Sequence, residues 1–216
     1  MNVLVAGAHG KVGQILIKKL EENGHKVKAM IRDKEQADEI KSLGAETVMG
    51  DLEKDESFPL EHIDAVVFVA GSGAGTSDEK TIAVDQNGAI KLIEDAYKHK
   101  VQRFVMLSSI GAHDPKAGPE EMQTYLKAKH EADKELKFSS LLYTIVRAVE
   151  LTDEDGTGMV NAALELENRK AKVSREDVAE VLAGCLDQPH TENKVFELSK
   201  GNLPIKEALA NLPLVQ

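Results

Sequence analysis

Short β-branched runs alternate with longer charged segments along this chain, and the apolar positions of the longer segments recur every three or four residues. That is the pattern of strands feeding amphipathic helices in a parallel sheet. NVLVA (2–6) predicts a first strand, and 12–22 a helix with Ile15, Leu16 and Leu20 on its apolar face, closed by Asn23-Gly24. KVKAMIR (26–32) predicts a second strand, 34–43 a helix ended by Gly44, and 45–51 a third strand. DAVVFVA (64–70) is apolar enough to be a strand buried on both faces. A helix over 80–99 leads to RFVMLSS (103–109), and a helix over 119–137 leads to LLYTIVRAVEL (141–151). A helix over 175–186 with Ser174 as its N-cap, a strand over 193–199 and a helix over 204–212 complete the pattern.

The loops add more than the strands do. GAHGKVG (7–13), GSGAGTSDEK (71–80), GAHDPKAGP (111–119) and TDEDGTG (152–158) each follow the carboxyl end of a strand, so a parallel sheet gathers them on one edge. Open α/β sheets bind ligands in the crevice there. The expected fold is therefore α/β: a Rossmann-type doubly wound parallel sheet with helices on both faces and a short C-terminal extension. All 216 residues are expected to form one domain, with 152–216 contributing a small substrate-side region.

A formal net charge of −10 sets the chain against nucleic acid and anionic membrane as partners. The single cysteine, Cys185, lies in the apolar stretch VAEVLAGCL and reads as a small core residue. The histidines are scattered without the spacing that helical metal ligands use, so no metal site is expected. Met1 opens directly into a strand-like run, and no apolar segment reaches the ~20 residues that cross a bilayer, which makes the cytoplasm the expected location.

The glycine spacing G-x-x-G-x-x-G is weak alone, but here it joins the first strand to the first helix. At that point glycine permits a tight turn and lets backbone approach a pyrophosphate at a helix N-terminus. Gly7, His9, Gly10, Lys11 and Val12 are the expected contacts. A plain strand-to-helix turn would also use these glycines. The end of strand two separates two dinucleotides, because an acidic side chain there accepts from a ribose 2′-hydroxyl and a basic one takes a 2′-phosphate. Ile31-Arg32 precedes Asp33, so NADP is favoured over NAD through the fork of Arg32. Asp51 is placed to accept from the adenine amino group, Leu52 to cover a ring face, and Ala70-Gly71 to let the dinucleotide pass close to backbone.

Tyr125 and Lys129 stand four residues apart in a predicted helix, on one stripe. An ammonium beside a phenol stabilises tyrosinate, which suits Tyr125 to proton transfer. Ser109 ends strand five at the ligand edge and could hydrogen-bond a substrate carbonyl or hydroxyl opposite Tyr125. The alternative is structural: the serines finish a strand, and Tyr125 packs beside Met122 and Leu126.

Together GAHGKVG, VDQNGAIKLIEDAYKHKVQRFVMLSS, the Tyr125-x-x-x-Lys129 pair and VSREDVAEVLAG resemble the short-chain dehydrogenase/reductase superfamily over roughly residues 1–200. The chain is most similar to its small atypical branch, related to NAD-dependent epimerase/dehydratases and NAD(P)H-binding, flavin-reductase-like proteins. The resemblance implies Tyr125 as proton donor or acceptor, Lys129 as holder of the nicotinamide ribose, and Ser109 as a substrate contact. Two positions depart from that family's pattern: Arg147-Ala148 stands where relatives carry Arg-Pro, and Asp85 where many carry asparagine. Only residues 152–216 follow the sixth strand, which favours a small substrate over a sugar nucleotide.

The expected function is an NADP-dependent oxidoreductase or epimerase/dehydratase-like enzyme for a small carbonyl or alcohol substrate. The alternative is a non-enzymatic NADP(H)-binding redox sensor of the same fold. The helices leading into strands five and six present faces through which two copies could pair. The glycines of 152–158 suit a loop that closes over the cofactor.

Overall fold

The apolar runs become the inner strands of one sheet. A computed structural model describes residues 1–54, 57–73 and 75–213; Ala74 in the 71–80 loop and residues 214–216 of the C-terminal region lie outside the described residues. The strands are β1 (Asn2–Ala6), β2 (Lys26–Ile31), β3 (Glu46–Met49), β4 (Ala65–Phe68), β5 (Arg103–Ser109), β6 (Leu142–Ala148), β7 (Glu150–Thr152), β8 (Met159–Ala163), β9 (Lys172–Ser174), β10 (Lys194–Lys200) and β11 (Leu203–Pro204). Nine of them form one sheet in the order β11-β8-β10-β6-β5-β4-β1-β2-β3, and β7 pairs with β9 separately. The order reverses direction between β1 and β4, as in doubly wound folds, and this places a crevice beyond their carboxyl ends.

Helices cover both faces, as expected. On one face Leu16, Ile17 and Leu20 of α1 (Lys11–Glu22) and Val178 and Leu182 of α6 (Arg175–Asp187) pack on Val5, Val105, Leu107 and Val146. On the other, Leu92 and Ile93 of α4 (Ala89–Lys98) and Ala132 and Leu136 of α5 (Gln123–Phe138) pack on Phe68, Phe104, Met106 and Ile145. The period-two alternation of β5 thus sends even-numbered residues toward α5 and odd-numbered ones toward α6.

Three features differ from the sequence expectation. The predicted strand 141–151 is two strands: β6 ends at Ala148, and Glu150–Thr152 changes partner to pair with Lys172–Ser174. A continuous β-branched run carries no mark of a change of partner. The sheet is also not wholly parallel, because β8 runs antiparallel to β10 and β11 antiparallel to β8. β8 is a short, alanine-rich segment, next to the edge strand β11, defined by its pairing rather than its periodicity. The predicted helix 80–99 opens as α3 (Asp78–Thr81), widens into a π-helical stretch over Ile82–Gly88, and resumes as α4. Gly88 lets this stretch lie directly on the loop after β3, since a Cβ there would stand 2.7 Å from both Cβ and O of Leu52.

Arg103 ties the second half of the sheet together. Almost fully buried, its guanidinium donates to Leu142 O at 2.8 Å, to Cys185 O at 3.1 Å, to Thr191 Oγ1 at 3.0 Å and to Thr144 Oγ1. Burial pushes its pKa down, partly offset by the nearby Cys185 and Glu192. Burial likewise pushes the Cys185 thiol up to about 12, opposed by the Arg103 charge and a hydrogen bond with Thr191, as suits an inert core residue. Arg103→Met would leave two carbonyls and two hydroxyls short of donors in the core. We expect a loss of about 3 kcal/mol, read as a lower urea midpoint with unchanged slope.

Candidate functional site

The crevice is built on the turn after β1. Gly7 has φ +91°, and a Cβ there would stand 2.5 Å from Ala70 N and 2.6 Å from its Cα, so the turn crosses directly against the end of β4. Gly10 N donates to Gly7 O at 3.0 Å, and Gly10 then serves as the N-cap of α1. Among the described residues no side chain caps this helix, and its first turn holds no acidic residue. Its positive end therefore faces the crevice uncompensated.

A cavity of about 290 Å³ opens there. Of the positions assigned to a cofactor from sequence, Gly7, His9, Gly10, Arg32, Asp51, Leu52, Ala70 and Gly71 line it. Lys11 and Val12 do not. The Lys11 ammonium turns to Asp153 Oδ2 at 2.6 Å, and Val12 packs into the core. His9 Nε2 lies 3.0 Å from Glu39 Oε2, and Asp51 Oδ1 accepts from Glu53 N at 3.0 Å, closing its own turn. Sequence reasoning did not assign Ala8, Met30, Gln36, Gly50, Glu53, Val69, Ser72, Lys80 and Val84, which also form the wall. Glu53 and Lys80 were findable as charged residues flanking predicted ligand-edge loops.

Behind that wall stands Lys129. Its ammonium, on a side chain 4% exposed, lies 3.0 Å from Asp85 Oδ1, on a side chain 0% exposed. It also donates to Ala70 O at 3.4 Å, and it sits 5.7 Å from the centroid of the Tyr125 ring and 5.6 Å from that of Phe68. The other Asp85 oxygen accepts from Ser72 N at 2.8 Å. Burial alone would push the Lys129 pKa down. The charges of Asp85, Tyr125 and Asp133 and the hydrogen bond to Asp85 outweigh it and hold the pKa above the ordinary lysine value.

One helical turn further, the buried Asp133 accepts from Arg147 Nε at 2.9 Å. Burial raises the Asp133 pKa, against the opposing effects of Arg147, Ser108 and Lys129. Asp85, Lys129, Asp133 and Arg147 thus form a row of alternating charge between α5 and the sheet.

The two serines separate. Ser108 points toward α5 with Phe104 and Met106; its hydroxyl is buried near Asp133 without a well-formed hydrogen bond. Ser109, paired with Ala148 in the strand, belongs to the opposite face, and its hydroxyl donates to Ile110 O at 3.2 Å. The expectation that Ser109 stands opposite Tyr125 is corrected by this alternation: β5 turns Ser108, not Ser109, to the Tyr125 side. The 152–158 loop is fastened on both flanks. Gly156, Thr157 and Gly158 donate backbone N–H groups to Glu176 and Asp177 at the start of α6, and Asp153 joins Lys11 to Arg175.

Residues 7–189 match the family model described as NAD(P)H-binding. The chain belongs to this NAD(P)H-binding family. It is 41% identical to YhfK of Bacillus subtilis, itself an uncharacterized protein named as a sugar epimerase, over 98% of this chain and all of that one. A solved Bacillus halodurans structure, provisionally titled an NAD-dependent epimerase/dehydratase, is 46% identical with TM-score 0.94, covering 97% of this chain and 98% of that one. Among more distant relatives, the photosystem II assembly factor Ycf39 of Trieres chinensis is 27% identical over 98% of this chain and 68% of its own.

The residues present fit a bound dinucleotide. The uncapped end of α1 suits a pyrophosphate, and the passage between Gly7 and Ala70 is too close for any side chain. Arg32 lines the same cavity, and Lys129 stands behind Ala70. Among the described residues no helix is long and apolar enough to cross a membrane.

The Asp85–Lys129 pair generates a pH prediction. With its folded-state pKa raised, Lys129 stabilises the protein fully below about pH 10.4, and the contribution fades only as pH rises through the higher folded value. In Asp85→Asn, burial would instead push the same ammonium down. The variant should lose about 3 kcal/mol at pH 7. The gap to the native protein should narrow between pH 7 and 10 as the folded state sheds the proton first. Urea denaturation at pH 7 and 9.5 checks this, and a gap constant across that range would contradict it.

Proposed function

We propose that this NAD(P)H-binding protein is an NADP-preferring oxidoreductase or epimerase/dehydratase-like enzyme of the cytoplasm, acting on a small carbonyl or alcohol substrate. The observation that carries it is Lys129, held charged by Asp85 against the ring of Tyr125 and against the Ala70 wall of the cavity. A bound nicotinamide dinucleotide supplies or takes the hydride.

The chain's own groups do the rest. Tyr125 donates a proton to the substrate oxygen as a carbonyl becomes an alcohol, and takes it back in the reverse direction. Lys129 stabilises the tyrosinate that remains, and it would hold the ribose of a bound dinucleotide. Ser108, on the Tyr125 side of β5, is sealed against Asp133, and Ser109 faces the other side of the sheet, so Tyr125 and Lys129 carry this reading without a serine.

A second function class has its own support. Asp85 takes up much of the Lys129 charge, which weakens the help that Lys129 can give Tyr125. A relative named as an assembly factor is consistent with an NADP(H)-dependent binding protein. Turnover separates the two. Once a carbonyl substrate is found, Tyr125→Phe should lower kcat by about 100-fold or more while the NADPH Kd stays within about twofold. An unchanged kcat in Tyr125→Phe would remove Tyr125 from the chemistry and favour the binding-protein class.

A further inference from the structure

At one end of the cavity three charged side chains from three elements converge on one oxygen. Arg32 follows β2 directly, Glu53 lies on the turn after β3, and Lys80 lies in the first turn of α3. Arg32 Nη1 stands 3.2 Å and Lys80 Nζ 3.6 Å from the same atom, Glu53 Oε1. All three line the cavity. Their supports are built from backbone: Asp51 Oδ1 accepts from Glu53 N at 3.0 Å, Lys54 N donates to Asp51 O at 3.1 Å, and Ser77 caps α3 by accepting from Lys80 N. In a chain of net charge −10, this is a local site with two cations to one carboxylate.

We propose that Glu53 is a specificity-determining residue: an internal carboxylate that occupies a phosphate subsite formed by Arg32 and Lys80, and that yields to a phosphate monoester on the adenosine ribose. The inference rests on the cavity being the dinucleotide site and adds to it the second cation, Lys80, and the built-in competitor, Glu53. The charges decide the exchange. A phosphate monoester carries about −1.5 to −2 at pH 7, so it matches two cations better than one carboxylate does. Glu53 is 36% exposed on its side chain, which leaves it room to swing into solvent. A ribose bearing a free 2′-hydroxyl makes no such demand. Glu53 then stays on Arg32 and Lys80 and accepts the hydroxyl's hydrogen bond. Glu53 therefore narrows the preference for NADP(H) over NAD(H) that Arg32 and Lys80 would otherwise set.

The test is calorimetric titration of the full chain and of Glu53→Gln and Lys80→Ala with NADPH, NADH, adenosine 2′,5′-bisphosphate and 5′-AMP. Glu53→Gln should tighten NADPH and the bisphosphate by about fivefold and leave NADH and 5′-AMP unchanged or weaker. Lys80→Ala should weaken NADPH and the bisphosphate by a similar factor and leave the other two within about twofold. If the native chain binds both dinucleotides but Glu53→Gln leaves the NADPH-to-NADH ratio where it was, the role of Glu53 is overturned and the cofactor site stands. If the native chain binds neither dinucleotide, the cofactor site itself fails, and this inference with it.

Discussion

A lysine ammonium buried in a protein interior must be answered by a buried anion, and the contact between Lys129 and Asp85 meets that demand where the candidate site is assembled. The pair joins α5 to the π-helical stretch, and Asp85 in turn takes the backbone of Ser72, just past the end of β4. Lys129 also takes the carbonyl of Ala70, against which the glycine turn is packed. Three segments are therefore held by one ion pair and its hydrogen bonds, and the glycine turn packs on the third. Removing either charge would leave the other buried and unanswered, so the edge of the sheet keeps its shape only while both are present.

The π-helical stretch follows from the same demand. Replacing the usual helical pitch over Ile82–Gly88 by a wider turn changes which residues face the sheet, and it turns Asp85 fully inward. Gly88 lets the widened segment settle on the Leu52 loop, part of the cavity wall. Both ends of the crevice thus meet in one irregular helix. The Asp85 carboxylate adds a full negative charge to this meeting point, where an asparagine would bring none. It fixes Lys129 more firmly and leaves less of the positive charge for Tyr125.

Legibility in the sequence followed the range of the interactions. The strands β1 to β6, the glycine turn, the N-cap at Ser174 and the helix pair around the sheet were readable because each rests on local periodicity or on one residue's backbone preference. So were about half of the cavity's lining positions, because glycines and charges at strand ends have few other uses. What escaped depends on partners far along the chain. The break of 141–151 into two strands, the antiparallel edge of β8 and β11, and the π-helical stretch are settled by pairing and packing. The same holds for side chains at the site. Lys11 looked like a phosphate ligand but finds Asp153, 142 positions away, and the order of two adjacent serines was decided by strand phase.

The outer half of the charged row shows what such groups contribute. Burial raises the pKa of Asp133 even with Arg147 beside it, so the folded protein holds the Asp133 proton more tightly than the unfolded chain. Stability from this group is greatest below the ordinary carboxylate pKa of about 3.9, and it falls as pH rises through the higher folded value. At neutral pH the buried Asp133 charge therefore costs the fold stability relative to the protonated carboxyl, a cost that Arg147 reduces. Its contribution is to position: Arg147 on β6 is held against α5, and the alternating row keeps Lys129 flanked by carboxylates on both sides. The inner pair sets the geometry of the crevice, and the outer pair keeps α5 from shifting along the sheet that carries it.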